Sequence, residues 1–123
     1  MPGRLVDSAL EKVRAICAKL PDVEERPSHG APTFFLTVKG KKSFVMFHDD
    51  HHGDGRLAIW CRAPEGVQEQ LVEEEPDRFF VPPYVGHQGW VGVRLDRDVD
   101  WAEVAAIIGD AFTAAASPRG RSR

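Results

Sequence analysis

TFFLTVKGKK, residues 33–42, is the stretch that decides the fold class of this chain. Its apolar residues alternate with a period of two, which is typical of a β-strand with two different faces. The Lys-Gly-Lys-Lys end predicts a turn, and residues 43–48 then return as a second strand. Because a short turn joins neighbouring strands in opposite directions, we expect a mainly antiparallel sheet.

Two further strands are predicted on the C-terminal side of this hairpin. Residues 56–62 alternate again, and residues 90–95 form a last strand after a loop rich in proline and glycine. Between them, residues 64–74 have the pattern of a short helix with a proline in its first turn. Residues 79–81 form an apolar segment that stops at a pair of prolines.

Amphipathic helices are predicted at both ends of the chain. In the first, Ser8 and Glu11 fit a capping box, in which side-chain oxygens accept from free backbone N–H groups. Pro21 ends this helix, and Asp100 is the expected N-cap of the last one. Each helix has one apolar stripe at helical spacing: Leu10, Val13, Ile16, Cys17 and Leu20 in the first, then Val104, Ile107, Ile108, Ala111 and Phe112 in the last.

These elements predict an α+β domain with two layers. Each terminal helix has a single apolar stripe, so both can cover the same face of the antiparallel sheet. A length of 123 residues and a hydrophobic content of 42% suit one core. We therefore assign residues 5–116 to a single domain, and residues 117–123, which include three arginines, to a disordered basic tail.

Cysteine use and hydropathy indicate a cytoplasmic protein. Cys17 and Cys61 lie in separate apolar segments, which favours buried free thiols in a reducing compartment over a disulfide. No apolar run approaches the ~20 residues that span a bilayer, so no membrane partner is expected. We expect a monomer or a weak homodimer.

Charge is unevenly distributed along the chain, whose net charge is -3. Residues 1–63 hold ten Lys and Arg against eight Asp and Glu, whereas residues 64–116 hold three against eleven, a net charge of -8. A polyanion such as DNA would therefore contact the first half or the tail, because the acidic second half would repel it.

Four motifs resemble those of the MmcQ/YjbR family: LPDVEE at 20–25, RLAIW at 56–60, DRFFVPPYVG at 77–86 and GWVGV at 89–93. The resemblance covers about residues 5–115. It implies a fold like that of the bacterial frataxin homologue, with helices on one side of an antiparallel sheet. Family proteins are commonly labelled DNA-binding, through a proposed double-wing arrangement of hairpins, and one namesake is associated with a mitomycin resistance cluster. The resemblance implies no catalytic residues and no iron site.

Strand alternation places aromatic and basic side chains on the sheet face away from the helices. The residues expected to face the helices are Phe34, Leu36, Val38, Leu57, Ile59, Val91, Val93 and Leu95. The opposite face then carries Phe35, Trp60, Arg62, Trp90 and Arg94. An uncovered face of this composition would be an apolar patch suited to interaction, and rings interleaved with arginines also suit base stacking. Alternatively, sheet curvature, the loop at residues 82–84 or a dimer partner covers the rings.

Loop residues supply the remaining candidate contacts. Lys39, Lys41 and Lys42 at the hairpin tip can neutralise phosphates, although a solvated lysine-rich turn is the ordinary alternative. Arg78 is expected to cap or pair locally, and beside Tyr84 it could contact an anion.

No cofactor, metal or catalytic site is predicted. Residues 48–54 contain three histidines and three aspartates, but their spacing matches no metal signature and a flexible loop would not hold the geometry. Nothing places a nucleophile beside His29, His87 or Tyr84. Two functions remain open. The first is a DNA-binding module that uses the hairpin at residues 39–42 together with the sheet aromatics and Arg62, and the second is a domain that binds a protein or small molecule on the same aromatic sheet face. The second function would fit a role in stress or drug resistance.

Overall fold

Six strands form one antiparallel sheet in this computed structural model, which describes residues 3–117 apart from the side chain of Lys39. The strand order is β1-β2-β3-β4-β6-β5, and every neighbouring pair is antiparallel. The strands are β1 (Val23–Ser28), β2 (Ala31–Leu36), β3 (Ser43–Asp49), β4 (Leu57–Cys61), β5 (Phe79–Phe80) and β6 (Val91–Arg94). The helices are α1 (Gly3–Ala18), α2 (Val67–Glu74) and α3 (Trp101–Ala116).

The helices all pack on one face of the sheet, which we call the helix face, and the predicted α+β architecture is confirmed. One core cluster joins Val13 of α1 and Ile108 of α3 to the inward residues of the strands, such as Leu57 and Ile59. All four of these side chains are completely buried. The other sheet face carries no helix, and we call it the outer face.

The edge strand β1 was not predicted from the sequence. Its residues, VEERPS, are mostly polar, and they pair only with β2. Charged side chains and a proline suit an edge strand, because they discourage pairing with another chain. His29 and Gly30 join β1 to β2 with φ angles of 53° and 83°, which is the left-handed backbone of a tight two-residue hairpin.

The predicted inward position of Val38 is wrong. A register shift between Phe34 and Phe35 changes the pairing of β2 with β3, and the strand ends at Leu36. The backbone N–H of Leu36 donates to the carbonyl of Lys42, which closes the turn. Val38 lies beyond the last pair and is 47% exposed.

The terminal helices differ in how well their starts were predicted. α1 begins at Gly3, so the capping box at Ser8 is wrong; Ser8 lies inside the helix and its hydroxyl accepts from Lys12 Nζ at 3.4 Å. Val6 extends the apolar stripe by one turn, which explains the earlier start. In α3, the Asp100 carboxylate accepts from the backbone N–H groups of Ala102 and Glu103, as predicted for an N-cap.

Within residues 3–117, no helix has both the length and the apolar character needed to cross a bilayer. The predicted disordered tail, residues 117–123, lies outside the described residues except for Ser117.

Candidate functional site

The outer face has its own aromatic cluster, formed by Ala58, Trp60, Phe80 and Trp90 with Met46 and Val85 against it. Strand alternation therefore placed both tryptophans on the correct face. Their predicted exposure is wrong, because Trp60 and Trp90 are each only 2% exposed. The predicted open aromatic patch does not exist at these two rings.

The segment after β5 helps to cover the tryptophans, next to the loop at residues 82–84 that one alternative invoked, and the ring of His48 lies on Trp60. Val85 packs on the cluster, and the buried side chain of Gln68 holds the segment in place. Its Nε2 donates to the carbonyl of Gly86 at 2.8 Å and to that of Trp90 at 2.6 Å. A buried amide with both donors used fixes this loop firmly against the sheet.

Phe80 closes the same cluster from the edge of the sheet. Its ring lies over Gly92, where an added Cβ would be 2.4 Å from the ring carbons. The Arg56 guanidinium lies 3.9 Å from the centre of the same ring, a cation–π distance. Glycine at position 92 is therefore required by the close approach of an aromatic ring.

A cleft of about 810 Å³ lies at one end of the sheet, and we call it the sheet-end cleft. Its two sides are the β1–β2 turn at residues 28–32 and the end of β3 with the following turn, residues 46–52. It extends from side chains of α1 on the helix face to Trp60 and Tyr84 on the outer face. Its volume is within the usual range of small-molecule sites, about 300–1,000 Å³.

Aromatic rings form the outer-face wall of the sheet-end cleft. The ring centres of His48 and Trp60 are 3.8 Å apart with the planes tilted by 37°. His51 lies 4.8 Å from both of these rings, and Tyr84 lies 6.0 Å from His51. Tyr84 is 70% exposed and stands at the rim. Trp60 is only 2% exposed and lies behind His48, so the rings that a ligand could reach are those of His48, His51 and Tyr84. These three rings form a wall that can pack against a flat apolar molecule.

The imidazole of His48 is held in its neutral form. Burial lowers the pKa of His48 from its ordinary value of 6.5 to about 4, and His51 adds to the effect because two neighbouring cations repel. Burial also lowers the pKa of His51, helped by His52. His48 Nε2 and Trp60 Nε1 are both buried without a hydrogen-bond partner among the described residues. Such unsatisfied groups are uncommon, and here two of them belong to residues that line one cleft.

Backbone strain is concentrated around the sheet-end cleft. Six described residues other than glycine have a positive φ, and four of them line the cleft: His29, Asp50, His52 and Tyr84. Each left-handed residue with a side chain costs about 1–2 kcal/mol. Strain of this kind gathers at binding and catalytic sites, where a required geometry outweighs its energetic cost.

Two predicted contact residues are held in ion pairs. The Arg94 guanidinium donates twice to the Asp96 carboxylate, each time at 2.9 Å, and these bonds raise the pKa of Arg94. Arg78 pairs with Glu75 and with Glu103 of α3, which confirms the local pairing expected for it. Both guanidinium groups have carboxylate partners, so they are poorly placed to hold an external anion.

The other predicted contact residues lie away from the sheet-end cleft, apart from Tyr84. Lys41 and Lys42 lie at the turn before β3, and Arg62 lies at the end of β4 beside them, because its Nε donates to the carbonyl of Ser43. Phe35 is half-buried, with the Arg26 guanidinium 4.3 Å from its ring centre. For Lys39, only the backbone position in the turn is described.

The cysteines lack the features of activated thiols. Both are buried and free. Burial raises the pKa of Cys17 to about 12 and raises that of Cys61 further. A thiol that stays protonated at neutral pH is a poor nucleophile. This agrees with the buried free thiols predicted from the sequence.

Several cleft residues were not chosen from the sequence as contacts, above all Met46, His48, His51 and Val85. From the sequence, the histidine-rich turn at residues 48–54 is a candidate for a metal site only. Within residues 3–117, no group of three or more His, Cys, Asp or Glu side chains is arranged to hold a metal ion. The position of His48 in β3 could have identified this site from the sequence. His48 is on the outer face and pairs with Ala58, which is two residues from Trp60 along β4.

Comparison with known proteins identifies the family. The crystal structure of the Deinococcus radiodurans protein DR2400, a DUF419 domain, matches with a TM-score of 0.73 at 17% identity, over 93% of this chain and 82% of that one. At this identity the match shows a shared fold. No curated protein matches the chain significantly. The model of the YjbR family matches residues 18–114, most of the sequence, and so the chain belongs to the YjbR family.

Proposed function

We propose that this YjbR domain is a binding protein without catalytic activity, and that its ligand is a small, flat and largely apolar molecule held in the sheet-end cleft. The observation that carries the proposal is the ring wall of His48, His51 and Tyr84, backed by the buried Trp60, beside a cavity of ligand size. The positive φ angles of His52 and Tyr84 beside the same cleft support it, because backbone strain of this kind gathers at binding sites.

The polarity of the cleft supports a neutral ligand. His48 is uncharged at neutral pH because burial lowers its pKa to about 4. Asp49 and Asp50, which line the same side of the cleft as His48, would repel an anion. An uncharged heteroaromatic molecule gains stacking contacts with the wall and does not lose the hydration of a charged group.

The absence of a catalytic arrangement supports binding over chemistry. Among the described residues, no hydrogen bond joins a histidine side chain to a serine, cysteine or carboxylate side chain. General-base catalysis needs such a contact to activate a nucleophile or orient the base. The two thiols stay protonated, as their raised pKa values indicate.

The proposal is tested by titrating the protein with quinoline and, as an aliphatic comparison, with cyclohexanol. We expect quinoline to shift the backbone NMR resonances of Met46, His48 and Tyr84 saturably, and cyclohexanol to bind more weakly. Aromatic contacts are worth about 0.5–1.5 kcal/mol beyond burial, so Tyr84→Ala should weaken quinoline binding about 2- to 12-fold. Val81→Ala removes a comparably exposed side chain, 55% exposed, outside the cleft and should not change it. Equal affinity in all three proteins would contradict the proposal.

A second candidate function, DNA binding, is favoured by the cluster of Lys41, Lys42 and Arg62 at the other end of the sheet. Cations so close together can displace counterions from a phosphate backbone. Fluorescence anisotropy with a labelled duplex should then show affinity that falls steeply with salt. Replacing Lys41 and Lys42 with glutamine should flatten that slope, whereas Lys19→Gln in the segment after α1 should not. A slope unaffected by the double replacement would exclude this function for the hairpin.

A further inference from the structure

Arg62 differs from the other partly buried arginines of this chain. Four described arginines are partly buried, and three of them have a carboxylate partner: Arg56 with Asp54, Arg78 with two glutamates and Arg94 with Asp96. Arg62 has no carboxylate within 4.0 Å among the described residues. A guanidinium removed from water usually has a negative partner, because an unpaired charge loses hydration without compensation.

The guanidinium of Arg62 is held in a defined orientation. Its Nε donates to the carbonyl of Ser43 at 2.6 Å, and its carbon lies 5.2 Å from the ring centre of Trp90. Trp90 itself is buried and cannot move aside. The two Nη groups have no hydrogen-bond partner among the described residues, and they are not among the buried unsatisfied atoms found there, so they reach solvent. A fixed fork of two parallel donors therefore faces outward.

Basic residues lie close to Arg62, whereas Glu65, the acidic residue nearest to it in the sequence, makes no ion pair with it. Lys41 and Lys42 directly precede Ser43, which holds the Arg62 side chain. The three chain segments that meet there, residues 39–47, 57–64 and 81–94, contain no aspartate or glutamate. Burial lowers the pKa of Arg62, which reflects its partial removal from water. The local field therefore attracts an anion, although the chain as a whole is negative.

We propose that Arg62 is the centre of a site for a small oxyanion, a phosphate or carboxylate group. The guanidinium lies over the ring of Trp90, and its two Nη groups bind two oxygens of the anion in parallel. Lys41 and Lys42 add long-range attraction. The site lies at the opposite end of the sheet from the sheet-end cleft and does not depend on a ligand there.

The experiment uses the full chain and inorganic phosphate, with sodium chloride added to keep the ionic strength constant. The Nε–Hε resonance of Arg62, which its hydrogen bond to Ser43 protects, reports binding directly by NMR. We expect a saturable shift of this resonance in the wild-type protein. Hydrogen bonds to charged groups imply that Arg62→Gln weakens phosphate binding about 10-fold or more.

Two variants serve as controls. Arg56→Gln removes an arginine that also stacks on a ring, that of Phe80, but has a carboxylate partner, so phosphate affinity should be unchanged. Tyr84→Ala, at the sheet-end cleft, should also leave it unchanged, so a failure of the cleft proposal and a failure of this one are distinguishable. If Arg62→Gln does not fold, the wild-type resonance alone decides.

Acetate and a single-stranded oligonucleotide, titrated in parallel, identify the source of the oxyanion. Binding of phosphate or acetate that requires Arg62 supports a small-molecule oxyanion, and oligonucleotide binding that requires Arg62 supports a polynucleotide phosphate at the same site. The proposal is overturned if the Arg62 resonance does not respond to any of the three, or if phosphate binds Arg62→Gln as well as it binds the wild-type protein.

Discussion

Replacing His48 with phenylalanine should remove an acid sensitivity that the fold places at the sheet-end cleft. Phenylalanine can stack on Trp60 as the imidazole does, at a ring distance of 3.8 Å. No hydrogen bond of the Nε2 atom is lost, since that atom has no partner. The substitution therefore removes a titrating group while the packing is largely kept, and its main effect should be on the pH dependence of the free energy of unfolding.

The size of this effect follows from the pKa of His48, which is 6.5 ordinarily and about 4 in the folded protein. Burial is the main cause and His51 contributes, while Asp54 acts in the opposite direction. Because the folded pKa is the lower one, the unfolded chain binds more protons between these values and stability falls as pH decreases. Full protonation would cost about 3 kcal/mol, and about 2 kcal/mol of this is lost between pH 7.5 and pH 5.

Urea unfolding of both proteins at pH 7.5, 6.5, 5.5 and 5.0 measures the difference. All other groups titrate in both proteins, so the difference between the two curves isolates His48, and we expect it to move by about 2 kcal/mol in favour of the variant towards pH 5. An NMR titration of the His48 ring in the wild-type protein gives its pKa independently. If the free energies of unfolding of the two proteins change in parallel with pH, and the His48 ring has a pKa near 6.5, a buried neutral imidazole at this position is refuted.

Three further substitutions test the packing around the outer face and the helices. Gly92→Ala should lower the free energy of unfolding by about 1–3 kcal/mol in urea, because its methyl group would overlap the Phe80 ring; an unchanged midpoint would show that the ring can move aside. Asp100→Ala should cost about 1 kcal/mol by the same measurement, since two N–H groups at the start of α3 lose their acceptor, whereas Asp100→Asn should keep most of the stability. Tyr84→Gly should leave the free energy of unfolding equal or up to about 1 kcal/mol higher, because glycine adopts the φ of 67° at this position without strain. Quinoline affinity should fall in the same variant. A clear loss of stability would mean that the backbone at Tyr84 is not strained.

Much of the fold could be predicted because its elements are amphipathic. In β2, β4, α1 and α3 the apolar residues of the sequence are spaced at the period of the element. This spacing predicts which side chains are buried in the core. The edge strand β1 has no such pattern, because neither of its faces is well buried. Its existence depends on pairing with β2 through a turn whose left-handed residue is a histidine rather than the expected asparagine or aspartate.

The candidate site could be predicted only in part, because its surfaces are set by contacts between distant segments. Alternation assigns Trp60 and Trp90 to the outer face, but it carries no information on whether another segment lies above them. That depends on Gln68, a helical residue whose amide binds two backbone carbonyls 18 and 22 residues further along the chain. Because the two tryptophans are covered, the accessible aromatic surface is that of Tyr84 and His51, which lie at the margin of the loop beside the end of β3. The same amide also binds the carbonyl of Trp90, whose ring lies beneath the Arg62 guanidinium, so Gln68 contacts both the loop beside the sheet-end cleft and the residue that supports Arg62.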